Sequence, residues 1–116
     1  MSQAVQEILS IETAYSAPAA VVVFKSRGCA GCEQFRPHFQ AVAQKFYEGY
    51  QSGQMPWIRF LVVETGPGFS EMEADRLGVE VTPTTLLFVE GQVVAKWDGG
   101  MDAAKFEAEL MAKLQG

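Results

Sequence analysis

The stretch that decides the fold is AAVVVFKSRGCAGC, at residues 19–32. Its first six residues are apolar and rich in β-branched side chains, which is typical of a strand buried on both faces. Two cysteines separated by two residues follow, and beyond them Phe35, Phe39, Val42 and Phe46 recur at helical spacing. The stretch therefore predicts a buried strand, a Cys-x-x-Cys turn and a long helix in direct succession.

The segments around this stretch predict one α/β domain over residues 1–116. The predicted elements are helices at 3–15, at 70–78 and from 102 onward, strands at 57–63, 84–89 and 92–97, and turns at 66–68 and 90–91. The two strands joined through the long helix should be parallel, with a right-handed crossover, and the hairpin adds an antiparallel pair. We expect a mixed four-stranded sheet flanked by helices.

The composition excludes several classes of function. The chain has 116 residues, 48% of them hydrophobic and 20% charged, which is enough apolar material for a folded core. Its formal charge of -5 opposes binding to nucleic acid or to an anionic membrane. No apolar run approaches the ~20 residues that span a bilayer, and the first residues lack the basic segment of a secretory signal. We therefore expect a cytoplasmic protein with no nucleic-acid or membrane partner, and we expect a monomer.

The two cysteines, Cys29 and Cys32, call for a chemical explanation. A disulfide that closes so short a loop removes little chain entropy and would be a weak structural staple. At the start of a helix, unpaired N–H groups and the positive end of the helix dipole favour a thiolate over a thiol. This predicts Cys29 as the nucleophile, with its pKa lowered further by Lys25 and Arg27, and Cys32 as the resolving cysteine.

Two other interpretations of the pair are inert core cysteines and half of a zinc site. Zinc takes four ligands, and the chain has no second Cys-x-x-Cys. The one histidine, His38, lies six residues beyond Cys32, about 240° around the helix. We therefore favour redox chemistry, and we expect no metal and no cofactor other than the redox-active disulfide itself.

Three features of the sequence resemble the thioredoxin family, over roughly residues 19–115. They are the CAGC motif after the apolar strand, Pro37 five residues past the second cysteine, and the segment GVEVTPTTLLFVEG at 78–91. The resemblance implies a thioredoxin fold.

The resemblance also implies substrate-binding residues near the cysteines. It implies a cis peptide bond before Pro83, with the backbone of Thr82 holding an extended substrate chain beside Cys29, as in β-strand addition. It implies that Gly99 lines the substrate groove, and we add Gly28, next to the nucleophile, to the same set.

The chain departs from the family around the motif. The usual Trp-Cys-Gly-Pro-Cys core lacks its tryptophan and proline here, and Lys25 replaces a second family tryptophan. Val23 replaces the buried aspartate that the family carries six residues before the first cysteine, and we place the aspartate's usual lysine partner at Phe60. The loss of both charges is self-consistent, because the loss of one alone would leave the other buried without a partner. The family's first strand is missing as well, and we expect the N-terminal helix in its place.

The resemblance implies an enzyme that reduces or exchanges protein disulfides, with disulfide-containing proteins as substrates and a thioredoxin-reductase-type electron donor. Two alternatives are a non-enzymatic binding module with vestigial cysteines and a glutathione-linked reductase. The sequence WDGGMD at 97–102 resembles the glutathione-binding turn of glutaredoxins, although a plain turn followed by an N-cap also accounts for it. The intact cysteine pair favours the enzyme.

Overall fold

The computed structural model describes residues 4–66 and 69–115, which form a five-stranded sheet and four helices. The strands are β1 (Val5–Glu7), β2 (Ala19–Lys25), β3 (Arg59–Glu64), β4 (Thr84–Val89) and β5 (Gln92–Asp98). The helices are α1 (Glu12–Ser16), α2 (Ala30–Gln51), α3 (Phe69–Arg76) and α4 (Ala103–Gln115). Residues 67 and 68 of the predicted turn lie outside the described residues. No helix in the described ranges is long and apolar enough to cross a membrane.

The strands lie in the order β1-β3-β2-β4-β5. Strands β1, β3 and β2 run parallel, and β4 and β5 continue the sheet in antiparallel pairs. Strand β2 is central and buried over its five middle residues, as its continuous apolar sequence predicts. The predicted α/β fold with a mixed sheet is confirmed. The cysteine motif follows directly after β2.

The N-terminal segment differs from the prediction, since both the helix at 3–15 and the count of four strands are wrong. Val5–Glu7 instead pair with β3 as a parallel strand, and α1 is only five residues long. The open edge of β3 offers hydrogen-bond partners to this backbone, which local helical spacing does not reveal. Helical spacing places Ile8 and Leu9 on one face, whereas in the structure Ile8 is buried and Leu9 is 93% exposed. The first strand that we expected to be missing is therefore present.

Two apolar cores lie on opposite faces of the sheet, and the one under α2 and α4 holds the cysteine helix in place. Phe39 of α2 stacks on Phe106 of α4, with ring centroids 5.8 Å apart, and meets Phe60 of β3 at 5.5 Å. Phe35, one turn closer to the cysteines, lies 5.2 Å from Phe106. Burying each ring contributes about 1.5–3 kcal/mol. Together these rings fix the first turns of α2 against the sheet.

Candidate active site

Cys29 lies in the turn between β2 and α2, at the N-cap of the helix. Its Sγ accepts a hydrogen bond from the Cys32 backbone N–H at 3.0 Å, so the sulfur pairs with a donor that the helix leaves unpaired. Gly28 before it has a φ of +74°, a left-handed conformation that favours glycine. This turn places the Cys29 sulfur at the positive end of α2, where a thiolate is stabilised more than a thiol.

The two cysteines are joined by a disulfide, with their Cα atoms 5.2 Å apart. Cys29 is half-buried, whereas Cys32 is only 7% exposed. In thiol–disulfide exchange an attacking thiolate must reach a sulfur of the incoming disulfide. The accessible Cys29 is therefore placed for that attack, and the inner Cys32 is placed to attack Cys29 from inside the protein.

The loop before β4 lies against Cys29. Cys29 Sγ is 3.5 Å from the Thr82 carbonyl oxygen, which a reduced thiol can reach as a donor. The Thr82–Pro83 peptide bond is cis. The hydroxyl groups of Thr82 and Ser26 are hydrogen-bonded at 2.6 Å. This bond connects the loop to Ser26, directly after β2. The turn that carries Cys29 also follows β2, so the loop and the turn are both held at the end of the same strand.

Two glycines complete the contact between the loop and its neighbours. Gly99 has a φ of +82°, and its N–H donates to the Pro83 carbonyl oxygen at 2.8 Å. A Cβ on Gly31, between the cysteines, would lie 3.4 Å from Pro83 Cδ. The structure therefore places Gly28 and Thr82 next to Cys29 and Pro83 next to Gly31, and Gly99 is linked to them through its hydrogen bond to Pro83.

The two basic residues before the motif lie in different surroundings. Arg27 has a side chain that is 93% exposed, and its guanidinium lies 3.8 Å from a Glu64 carboxylate oxygen. Lys25 has a side chain that is 26% exposed, and its ammonium lies 3.8 Å from a Glu7 carboxylate oxygen. Solvent and the Glu64 carboxylate screen the charge of Arg27. Lys25 is the more shielded of the two cations.

A cavity of about 250 Å³ lies between the first turns of α2 and the end of the sheet. Cys32 lines it from the helix, and the aliphatic wall includes Val5, Val23 and Val62 from three neighbouring strands. The charged lining groups are Glu7, Lys25, Glu33 and Arg36. The buried cysteine thus faces a space that contains both apolar and charged side chains.

The strand register identifies the residue directly beside Val23. Val23 pairs with Val62, whereas Phe60, where we placed the family's lysine, pairs with Val21 two residues away on the same pair of strands. Strand register depends on pairing between distant segments, and the sequence alone did not reveal it. Val23 also pairs with Thr85 on its other side. The position that the resemblance assigned to an aspartate is therefore flanked by a valine and a threonine.

Sequence reasoning missed three residues near the cysteines. Ser26 contacts Thr82, Glu7 pairs with Lys25, and Thr85 is fully buried with no hydrogen-bond partner for its hydroxyl among the described residues. The contact of Glu7 with Lys25 was not predicted because residues 3–15 were interpreted as a helix. A hydroxyl directly after a buried strand was the only available signal for Ser26.

His38 has a structural contact away from the cysteines. Its Nδ1 accepts a hydrogen bond at 3.1 Å from the backbone N–H of Ala103, the first residue of α4. The ring therefore links α2 to the start of α4. Within residues 4–66 and 69–115 no cluster of three or more His, Cys, Asp or Glu side chains could hold a metal ion.

A family model and several solved structures of thioredoxins match this chain. A family model described as the thioredoxin-like domain matches residues 7–113. Among solved structures, the short form of thioredoxin f from spinach chloroplast is 20% identical, with a TM-score of 0.74 over 95% of this chain and 93% of that chain. Thioredoxin from Malassezia sympodialis is also 20% identical, with a TM-score of 0.70 over 94% of this chain and 90% of that chain.

A mutant thioredoxin from Halobacterium salinarum is 14% identical, with a TM-score of 0.75 over 94% of this chain and 89% of that chain. At these identities the structural likeness shows the fold alone. The assignment to a family rests on the family model, which matches nearly the whole chain.

Proposed function

This chain belongs to the family of thioredoxin-like domains, and from that premise we propose that it reduces or exchanges disulfides in other proteins through the dithiol of Cys29 and Cys32. The fold and the paired cysteines support thiol–disulfide oxidoreductase chemistry in general. The choice of protein disulfides as substrates is our proposal.

The proposed reaction has two exchange steps. The Cys29 thiolate attacks one sulfur of the substrate disulfide, which forms a mixed disulfide and releases the other substrate sulfur as a thiolate. Cys32 then loses its proton and attacks Cys29 Sγ. The Cys29–Cys32 bond forms, and the second substrate sulfur leaves with the electron pair. The two released thiolates take up protons, so the substrate is reduced by two electrons and the dithiol is oxidised.

One observation carries this proposal: Cys29 Sγ accepts the Cys32 N–H at the start of α2 and lies 3.5 Å from the Thr82 carbonyl oxygen. The helix end stabilises the attacking thiolate. Val81 is exposed and Thr82 is half-buried beside Cys29, where a chain segment can pair with an extended substrate. We accordingly propose Thr82, Pro83, Gly99 and Gly28 as substrate-binding residues.

Insulin reduction tests the proposal. The wild type is assayed with dithiothreitol, with thioredoxin reductase and NADPH, and with glutathione as separate electron donors. We expect activity with dithiothreitol and with the reductase. No activity with any donor would support the binding-module alternative, and activity with glutathione alone would support the glutathione-linked alternative.

The structure offers a specific reason to rank glutathione second. In the turn at 97–102, the Asp102 carboxylate accepts a hydrogen bond from the Lys105 N–H at 2.8 Å, so it serves as a cap for α4. This contact is the N-cap that the plain-turn interpretation of the segment requires. A reductase-type donor, a monomeric state and a cytoplasmic location stay predictions.

A further inference from the structure

The second step of the proposed reaction requires a thiolate at a buried position. Cys32 is 7% exposed, and burial in apolar surroundings disfavours the charged form of a thiol. Val23 lines the same cavity at the position where the resemblance places an aspartate, and its side chain has no polar atom. Some other group in the cavity must offset the burial of the Cys32 charge.

The charged groups that face this cavity come from three elements. Strand β1 supplies Glu7, β2 supplies Lys25, and α2 supplies Glu33 and Arg36. Strand β3 contributes Val62 to the lining. Its Glu64 is the register partner of Lys25, and its carboxylate lies 3.8 Å from the Arg27 guanidinium.

These charged groups differ in how far their side chains are exposed to solvent. Glu33 and Arg36 pair with each other at 3.6 Å on the helix surface, with side chains 62% and 60% exposed, so their opposite charges largely cancel in solvent. Glu7 is 79% exposed. Lys25, at 26%, is the most shielded charge, and a charge acts more strongly on its neighbours where water is excluded.

We propose that Lys25, whose ammonium lies 3.8 Å from a Glu7 carboxylate oxygen, stabilises the thiolate of Cys32 across this cavity. Lys25 is a positioning residue, because it acts on the reaction through Cys32. The proton of Cys32 passes to solvent, and the ammonium balances the charge that remains on sulfur until the Cys29–Cys32 bond forms. This inference rests on the proposed two-step reaction for its purpose, but its electrostatic content can be measured without any substrate.

The experiment measures the pKa of Cys32 directly. In a Cys29→Ser background, the thiolate absorbance of Cys32 in the ultraviolet is followed against pH. We expect Lys25→Met, which keeps most of the aliphatic stem, to raise the pKa of Cys32 by about one unit, which is about a tenfold loss of thiolate below that pKa. Lys25→Arg should restore the original value. Arg27→Met, which removes an exposed cation from the same turn, is the matched control and should change little.

Glu7→Gln keeps the test decisive if Lys25→Met fails to fold. Glu7 neutralises part of the ammonium charge, so removing this carboxylate should lower the pKa of Cys32. A rise or no change in that pKa, or equal shifts from Lys25→Met and Arg27→Met, would overturn the inference.

A kinetic readout links the inference to the reaction. In the chain with both cysteines, Lys25→Met should slow release of the second substrate thiol about tenfold at neutral pH, and the rate should recover at higher pH. If the wild type reduces no protein disulfide but the pKa shift is found, the proposed function fails and the inference stands. If the wild type is active and the shift is absent, the inference alone fails.

Discussion

Replacing Val23 by aspartate places a carboxyl group in the wall of the cavity next to Cys32. Val23 is 6% exposed and lies between Val62 and Thr85 in the sheet. The matched control is Val23→Asn, because asparagine has nearly the same shape as aspartate and carries no charge at any pH. Both variants lose the buried valine methyl groups, at a cost of about 1.5–3 kcal/mol. The difference between the two therefore isolates the charge.

The size of that difference follows from two limits. If the new carboxyl had to stay neutral at pH 7, protonating a group with an ordinary pKa of about 3.9 would cost about 4 kcal/mol. If Lys25, two residues along the same strand face and lining the same cavity, paired fully with it, the cost would approach zero. Lys25 is already paired with Glu7 at 3.8 Å. We expect an intermediate value of about 2 kcal/mol.

The pH dependence has a definite sign. Burial raises the pKa of the carboxyl in the folded state, so the folded state binds more protons than the unfolded state and stability falls as pH rises. The aspartate and asparagine variants should therefore have equal stability below about pH 4. Their difference should grow as pH rises further and reach its full value above the raised pKa. Urea unfolding of both variants at pH 4 and pH 7 measures it. A difference below about 0.5 kcal/mol at pH 7 would show that the site is solvated and refute the reasoning.

A second substitution tests the strand register with the same assay. Val62→Lys lies directly beside residue 23, and combined with Val23→Asp it should recover about 1 kcal/mol through the new pair. Phe60→Lys is the out-of-register control, because it lies two residues away beside Val21 within the aromatic core. Recovery by the lysine at 60 but not at 62 would contradict the observed pairing.

Three further predictions address the cysteines and the buried hydroxyl. Cys29→Ser should lower insulin reduction to less than about a tenth of wild type, a loss of more than about 1.4 kcal/mol of transition-state stabilisation; higher residual activity would argue against Cys29 as the nucleophile. Cys32→Ser should trap a mixed disulfide with an oxidised protein substrate, visible by mass spectrometry, and an adduct seen only on Cys29→Ser would reverse the roles. Thr85→Val should stabilise the fold by about 1 kcal/mol in urea melts, because it removes an unpaired buried hydroxyl. Thr84→Val is its control and should destabilise, since the Thr84 hydroxyl donates to the Val81 carbonyl oxygen at 2.6 Å, and equal effects of the two changes would show that Thr85 is also paired.

Local patterns in the sequence determined the central strand, the cysteine helix and the β4–β5 hairpin. Each of these depends on residues that are close together in the chain. The apolar run at 19–24 has the composition of a strand buried on both faces, and the spacing of Phe35, Phe39 and Phe46 has the period of a helix. The cysteine pair and its place at a helix start followed from the same local information.

Tertiary structure alone decided features that depend on pairing between distant segments. Val5–Glu7 become a strand because β3, more than 50 residues away, offers its open edge, and three residues carry too little periodicity to show this in advance. The β2–β3 pairing sets Val62 beside Val23, and the β1–β3 pairing brings Glu7 within 3.8 Å of the Lys25 ammonium. Backbone hydrogen bonds between strands set which side chains meet, and a shift of register changes every neighbour at once. The sequence could therefore identify the reactive cysteines, but only the assembled sheet determines which charges surround them.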